Sequence, residues 1–129
     1  MPALTPTPAP SAPASPGQTT TLATATLLGS PGFMNTNGRT VYVLSDDTVS
    51  SIACTVASGC TGIWPPASPP AGVALSTGFT AFARADMGGA MQLAYQNHPL
   101  YQYSGDSAGG QTNGNGLVSF GGTWTVARP

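Results

Sequence analysis

One spacing of residues occurs twice in the chain, and it constrains the fold more than any other feature. Tyr42-x-Leu44-x-x-Asp47 returns as Tyr101-x-Tyr103-x-x-Asp106, 59 positions later. A tryptophan follows each copy, because Trp64 lies 17 residues after the first aspartate and Trp124 lies 18 after the second. Self-similarity at a fixed interval indicates a duplicated structural unit. We expect two related units, at about residues 32–75 and 90–129, that meet in one core with both tryptophans buried.

The repeated spacing is typical of a strand that ends in a turn. The tyrosine and the residue two positions later face the same side of a strand. The aspartate three residues further on falls in the turn, where a short carboxylate accepts hydrogen bonds from backbone N–H groups. Asp47 and Asp106 are therefore predicted to be structural turn residues.

The rest of the chain from residue 21 favours an all-β fold. Short apolar runs rich in Thr, Val and Tyr are separated by Gly, Asn, Asp and Pro, whereas no window of a dozen residues has a clean helical period. One helical turn fits either Asp86–Leu93 or the cysteine loop. We expect a small antiparallel immunoglobulin-like sandwich or partly open barrel, with strands near Thr21–Leu28, Thr40–Leu44, Phe79–Arg84, Gln92–Tyr95, Pro99–Tyr103 and Thr123–Ala127.

The first 20 residues differ in composition from this domain. Six of the 13 prolines lie within the first 16 residues, among Ala, Ser and Thr. Proline lacks the N–H that ladders and helices need, so residues 1–20 are predicted to be a disordered tether before a single β domain, 21–129. Such tethers are common in exported proteins, although a cytosolic protein with a flexible tail is the alternative.

Cys54 and Cys60 are the only cysteines, and no histidine or third cysteine lies near them. They cannot complete a tetrahedral metal shell, and their spacing is not that of thiol oxidoreductases. A structural disulfide is the economical interpretation, with two free buried thiols as the alternative. Together with the tether, a disulfide indicates a secreted or cell-surface location.

Charged residues are scarce, since the chain has three arginines, no lysine, four aspartates and no glutamate. Three scattered arginines cannot form the basic patch that nucleic-acid binding requires. No apolar run is long enough to span a membrane. We therefore expect no nucleic-acid partner and no membrane span, and we expect a monomer.

The C-terminal copy resembles a known family, the bacterial secreted-repeat proteins and lipoproteins with a Tyr-x-(Phe/Trp/Tyr)-x-x-Asp motif. The resemblance is carried by residues 93–106, by the glycine-rich loop 111–116 and by Gly121-Gly122-Thr123-Trp124. It implies export and a tandem β-rich unit, and it carries no established activity. The N-terminal copy has the cysteine pair but has Leu44 where an aromatic is usual, so the two copies need not do the same job.

The proline-rich leader and the absence of lysine are similar to small secreted antioxidant proteins of skin-dwelling propionibacteria. This likeness implies a redox-protective role, the scavenging of radicals or reactive oxygen species, with a bound small cofactor as an open possibility. Oxidisable Tyr, Trp and Met side chains are compatible with it.

Two other functions compete with scavenging. The first is a cell-envelope binding module for a glycan or another surface or host ligand, with Tyr101 and Trp124 as a stacking face. The second is copper or other metal handling by His98 with Met87 or Met91, because thioethers suit Cu(I). His98 is the only imidazole and no nucleophile motif accompanies it, so hydrolysis is not expected.

The remaining charges are candidate ligand-binding residues. Arg39 and Arg84 could form a small positive groove on a nearly neutral surface. Arg39 and His98 occupy matching places in the two copies, 59 positions apart. The predicted ligand-binding set is Arg39, Arg84, His98, Tyr101 and Trp124.

Overall fold

The computed structural model describes residues 21–70 and 74–129, so the predicted tether at 1–20 lies outside the described residues. The strands are β1 (Ala23–Leu27), β2 (Ser30–Met34), β3 (Tyr42–Leu44), β4 (Phe79–Arg84), β5 (Ala90–Tyr95), β6 (His98–Pro99), β7 (Val118–Ser119) and β8 (Gly122–Val126). One helical turn, α1 (Cys60–Ile63), lies in the cysteine loop, and a 3-10 turn follows β4 at Ala85–Met87.

The strands form three antiparallel sheets, with the orders β1-β2, β3-β8-β7 and β4-β5-β6. The sheets do not close into a barrel, and the all-β prediction is confirmed. β2 and β7 were not predicted from the sequence. Pro31 and Gly32 interrupt the alternating pattern in β2, and β7 has only two residues. Within the described ranges, no helix is long and apolar enough to cross a membrane.

Three hairpins turn through two residues that both have positive φ, as type I′ turns require. These pairs are Leu28–Gly29, Gln96–Asn97 and Phe120–Gly121. The twist of such a turn matches that of the strands it joins. The turns therefore fix the registers of β1 with β2, β5 with β6 and β7 with β8.

The hydrogen bonds of the N-terminal half (residues 21–67) correspond to those of the C-terminal half (residues 79–128). Phe33 N–H donates to the carbonyl oxygen of Ala127 at 2.9 Å, and Leu93 N–H donates to that of Ala67 at 2.8 Å. The same correspondence relates the hairpin β1-β2 to the hairpin β4-β5. The corresponding segments therefore begin before residues 32 and 90, where the ranges suggested by the sequence, 32–75 and 90–129, begin.

Each half ends in a segment that pairs with the other half. β8 of the C-terminal half pairs with β3, so that Leu44 lies opposite Trp124. Pro66 at the end of the N-terminal half forms a bridge with Tyr101. Neither half therefore completes its hydrogen bonding within its own residues.

Two clusters of buried side chains lie where the halves meet, and both halves contribute to each. The first contains both tryptophans, two tyrosines and the two cysteines. The second lies between the two long hairpins and is built largely from aliphatic and phenylalanine side chains: Leu22, Phe33, Val41, Ala67, Phe79, Leu93, Leu100 and Ala127.

Candidate functional site

The two copies of the repeated motif lie side by side in antiparallel orientation at the centre of the molecule. Tyr42 N–H donates to the carbonyl oxygen of Tyr101 at 2.7 Å, and Tyr101 N–H donates to that of Tyr42 at 2.9 Å. Both tyrosines are fully buried. The motif is thus the contact between the halves as well as a local strand and turn.

Each tyrosine hydroxyl donates a hydrogen bond to the aspartate of the other half. The Tyr42 hydroxyl lies 2.7 Å from Oδ2 of Asp106, and the Tyr101 hydroxyl lies 2.8 Å from Oδ2 of Asp47. Both carboxylates are buried, where an acceptor without donors would be costly. The two Tyr–Asp pairs therefore fasten the halves together reciprocally.

The aspartates also accept backbone hydrogen bonds, as a turn role requires. Oδ1 of Asp47 accepts from Ala53 N–H at 2.6 Å, and Oδ1 of Asp106 accepts from Asn113 N–H at 3.0 Å. The tyrosine partners were missed from the sequence. The equal offset of the Tyr and Asp positions was the available signal, because a two-fold arrangement of duplicated units brings corresponding residues together.

Burial and the carboxylates change how readily these phenols lose a proton. Burial is the larger cause that raises the pKa of Tyr42, and its hydrogen bond to Asp106 raises it further. The pKa of Tyr101 is raised by burial and then by Asp47. Both phenols therefore stay protonated at neutral pH, with a proton acceptor in contact.

Two stacked indoles lie beside the Tyr–Asp pairs. The rings of Trp64 and Trp124 are nearly parallel, at 3° between planes and 3.8 Å between centroids. Tyr42 meets Trp64 edge-on at 5.3 Å, and Tyr101 meets Trp124 edge-on at 5.2 Å. Tyr103 stacks on the other side of Trp64 at 4.4 Å. We call these five residues the aromatic cluster.

Arg39 and His98 hold corresponding places, each on the backbone of the aspartate from the other half. Nη1 of Arg39 donates to the carbonyl oxygen of Asp106. Nδ1 of His98 lies 3.0 Å from the carbonyl oxygen of Asp47. The two side chains thus hold two separate aspartate turns, and a ligand-binding role for them stays a prediction.

Arg84 is a buried cation with protein partners on its guanidinium. Asp86 accepts two of its hydrogen bonds, at 2.9 and 2.7 Å. Oε1 of Gln92 and the carbonyl oxygen of Cys54 each accept one at 2.8 Å. Burial alone would lower the pKa of Arg84, but hydrogen bonding to Asp86 raises it above the usual value. The same contact lowers the pKa of Asp86 to about 2.

Tyr101 and Trp124 lie in the core, so an exposed stacking face for a sugar does not form from these rings as they lie. The neighbouring glycine-rich loop also uses its amides internally. The carboxamide oxygen of Gln111 accepts from Ser107 N–H at 2.7 Å, and that of Asn115 accepts from Val126 N–H at 3.1 Å.

Cys54 and Cys60 form a disulfide, which confirms the pairing expected from the sequence. No group of three or more His, Cys, Asp or Glu side chains within 21–70 and 74–129 is arranged to hold a metal ion. Met91, one of the two methionines suggested as copper ligands, is 47% exposed.

Two open clefts lie on the described surface. One, of about 270 Å³, is bordered by Val49, Ile52, Phe82 and the Arg84–Asp86 pair. The other, of about 360 Å³, is bordered mainly by aromatic and small side chains, including Phe33, Phe79 and Tyr95. Neither cleft reaches the aromatic cluster.

Residues 80–128 match a family described as a secreted repeat of unknown function. The match spans β5 to β8 and most of β4, which is nearly the whole C-terminal half. No curated protein and no solved structure gives a significant match to the chain. The protein is therefore secreted or located at the cell surface.

Proposed function

We propose that this secreted or cell-surface protein protects its surroundings by scavenging one-electron oxidants, with the aromatic cluster as the reacting site. One observation carries the proposal. The hydroxyls of Tyr42 and Tyr101 each donate to a buried carboxylate within 2.8 Å, beside two indoles stacked at 3.8 Å.

The carboxylates supply what the oxidation of a phenol requires. When a tyrosine loses an electron its hydroxyl becomes strongly acidic, so the proton must leave together with the electron. A base within about 2.6–3.2 Å receives it directly. Asp106 and Asp47 occupy such positions next to Tyr42 and Tyr101.

The overall reaction with an oxygen-centred radical is balanced without a cofactor. A peroxyl radical takes one electron and one proton from the protein and becomes a hydroperoxide. One tyrosine O–H bond breaks, and a phenoxyl radical remains on the protein. The chain then holds one oxidising equivalent for each radical removed, and burial of the phenoxyl ring slows its reaction with other molecules.

The antioxidant likeness of the leader and composition agrees with this role. The alternative roles have less support from the contacts. For glycan binding, Tyr101 and Trp124 are buried and therefore unavailable. For metal handling, the Nδ1 atom of His98 already has a protein partner, since the carbonyl oxygen of Asp47 lies within hydrogen-bonding distance of it.

The test is the number of peroxyl radicals, supplied by a thermally decomposing azo initiator, that each full chain consumes. Its matched variants are Tyr42→Phe and Tyr95→Phe. Each removes one hydroxyl, but Tyr95 packs in the other buried cluster, against Phe33 and Phe79. We expect Tyr42→Phe to lower the number of radicals consumed per chain and Tyr95→Phe to leave it unchanged.

Equal consumption by the native chain and by its urea-unfolded form would overturn the proposal. In that case the tyrosines and tryptophans would act merely as exposed amino acids, and the folded arrangement would contribute nothing.

A further inference from the structure

The two ends of the aromatic cluster are not equivalent, although the backbone around them is. Leu44 stands in the N-terminal half at the position that Tyr103 occupies in the C-terminal half. Leu44 is fully buried, whereas Tyr103 is only partly buried. The cluster therefore has an oxidisable ring near the surface at one end only.

The partly exposed ring leads inward along a short series of contacts. The Tyr103 centroid lies 4.4 Å from that of Trp64, with 30° between the planes. Trp64 meets Tyr42 edge-on at 5.3 Å, and Tyr42 bonds to Asp106. Tyr103 also faces Tyr42 directly, at 6.4 Å between centroids. An electron passing from Tyr42 to Tyr103 crosses only contacting rings.

The other tyrosine has a buried cation beside it. Arg84 is 2% exposed, and its charge lowers the pKa of Tyr101 against the stronger effects of burial and Asp47. Loss of an electron next to a positive charge is unfavourable in a low-dielectric interior, and the ion pair that Arg84 makes with Asp86 offsets only part of this effect because Asp86 is itself partly exposed. Arg39 lies near the Tyr42 end, but it is partly exposed and binds a backbone carbonyl oxygen, so solvent screens its charge.

We propose that oxidising equivalents enter the protein at Tyr103 and come to rest on Tyr42, with Asp106 as the base that receives the proton. This inference depends on the proposed scavenging function and assigns its residues. Tyr103 and Tyr42 are the reacting groups, and Asp106 is the proton acceptor. Tyr101 and Asp47, despite their matching geometry, form a structural pair.

A peroxyl radical takes a hydrogen atom from the Tyr103 hydroxyl and becomes a hydroperoxide. Tyr42 then gives one electron through the contacting rings to the Tyr103 phenoxyl, while its hydroxyl proton moves to Asp106. The Tyr103 phenolate takes a proton from water and leaves a hydroxide ion. The products are a hydroperoxide, a hydroxide ion, a Tyr42 phenoxyl, a protonated Asp106 and a restored Tyr103.

The test is electron paramagnetic resonance of the full chain, frozen after oxidation by azide radicals, with the pair Asp106→Asn and Asp47→Asn as matched variants. Each asparagine retains an oxygen that can accept the tyrosine hydrogen bond, but it cannot take the proton. We expect Asp106→Asn to abolish the long-lived tyrosyl signal and Asp47→Asn to leave it intact. Tyr103→Phe should slow the appearance of the signal without changing its spectrum.

Folding of each variant is checked by near-ultraviolet circular dichroism. Peptide mapping of oxidised tyrosines in the unmodified chain gives an independent answer, with modification expected at Tyr42 and not at Tyr101. Loss of the signal in Asp47→Asn alone, or modification mainly at Tyr101, would overturn this assignment and leave the scavenging function standing. If the tyrosyl radical of the folded chain decays as fast as that of the unfolded chain, the scavenging function itself is overturned, and the assignment falls with it.

Discussion

Replacement of Tyr42 by phenylalanine tests the contact between the halves most directly. The substitution removes one oxygen atom and keeps the ring that packs against Trp64. It leaves the buried Asp106 carboxylate without its 2.7 Å donor, and it leaves Gly114 N–H without its acceptor at 3.3 Å.

The cost follows from these two lost contacts. A hydrogen bond to a charged group contributes about 1.5–3 kcal/mol, and an unsatisfied buried donor adds to the loss. We expect the free energy of unfolding to fall by about 3 kcal/mol, a large part of the roughly 5–15 kcal/mol typical of a domain. The midpoint of thermal unfolding should fall by about 12 °C, given about 4 °C per kcal/mol for a domain of this size.

The assay is urea unfolding followed by tryptophan fluorescence, arranged as two double-mutant cycles. One cycle combines Tyr42→Phe with Asp106→Ala, and the other combines it with Asp47→Ala. We expect a coupling energy of about 2 kcal/mol in the first cycle and less than about 0.5 kcal/mol in the second, because only contacting residues couple strongly. Equal coupling in both cycles, or stronger coupling to Asp47, would refute the reciprocal arrangement of the halves.

Three further outcomes are expected from the contacts described above. The pKa of Asp86 in the folded chain is about 2, below its ordinary 3.8, because of Arg84. The stability that the ionised Asp86 adds to the folded chain is therefore complete above about pH 4 and is lost as the pH falls toward 2. The free energy of unfolding is measured against pH for the native chain and for Asp86→Asn. After a discount for the partial exposure of Asp86, the native chain should be more stable by about 1 kcal/mol at neutral pH, and this difference should disappear in acid. Gly114→Ala would place a Cβ atom 2.6 Å from the Trp64 ring and should lower the free energy of unfolding in urea by about 1–3 kcal/mol. Gly62→Ala is the control, because open space surrounds its Cβ position, and it should not destabilise the chain. Equal effects of the two substitutions would contradict the packing around Trp64. Reduction of the Cys54–Cys60 disulfide, which spans six positions, should lower the free energy of unfolding by about 2 kcal/mol, and an unchanged urea midpoint after verified reduction would count against this estimate.

The strands and turns could be predicted where the signal is local. Alternating Thr, Val and Tyr residues indicated four of the strands, and the weaker pattern at 79–84 gave β4. The strand expected at Pro99–Tyr103 is instead the two-residue β6, which shares only Pro99 with that range. The prediction missed β2, because Pro31 and Gly32 disguise its alternation. It also offered no sign that the buried guanidinium of Arg84 binds Asp86, Gln92 and the backbone of Cys54. Asp86 is only two residues away, but Gln92 and Cys54 lie on other segments of the chain, and charge alone suggested a surface groove.

The sequence by itself determined the class of fold and the presence of a repeated motif. Side-chain alternation, turn residues and a spacing repeated at 59 positions are all written in consecutive residues. With only two cysteines, a disulfide had a single possible pairing.

Only the tertiary structure decided which partner each repeated residue has. Tyr42 bonds to Asp106 instead of Asp47, and Trp64 stacks on Trp124, because the segment that ends each half pairs with the other half. Local spacing places the tyrosine and the aspartate of one copy at opposite ends of a strand and turn. The exchange of terminal segments depends on contacts between distant parts of the chain, and no pattern of neighbouring residues specifies it. Buried carboxylates need donors, and the fold supplies them from the opposite half.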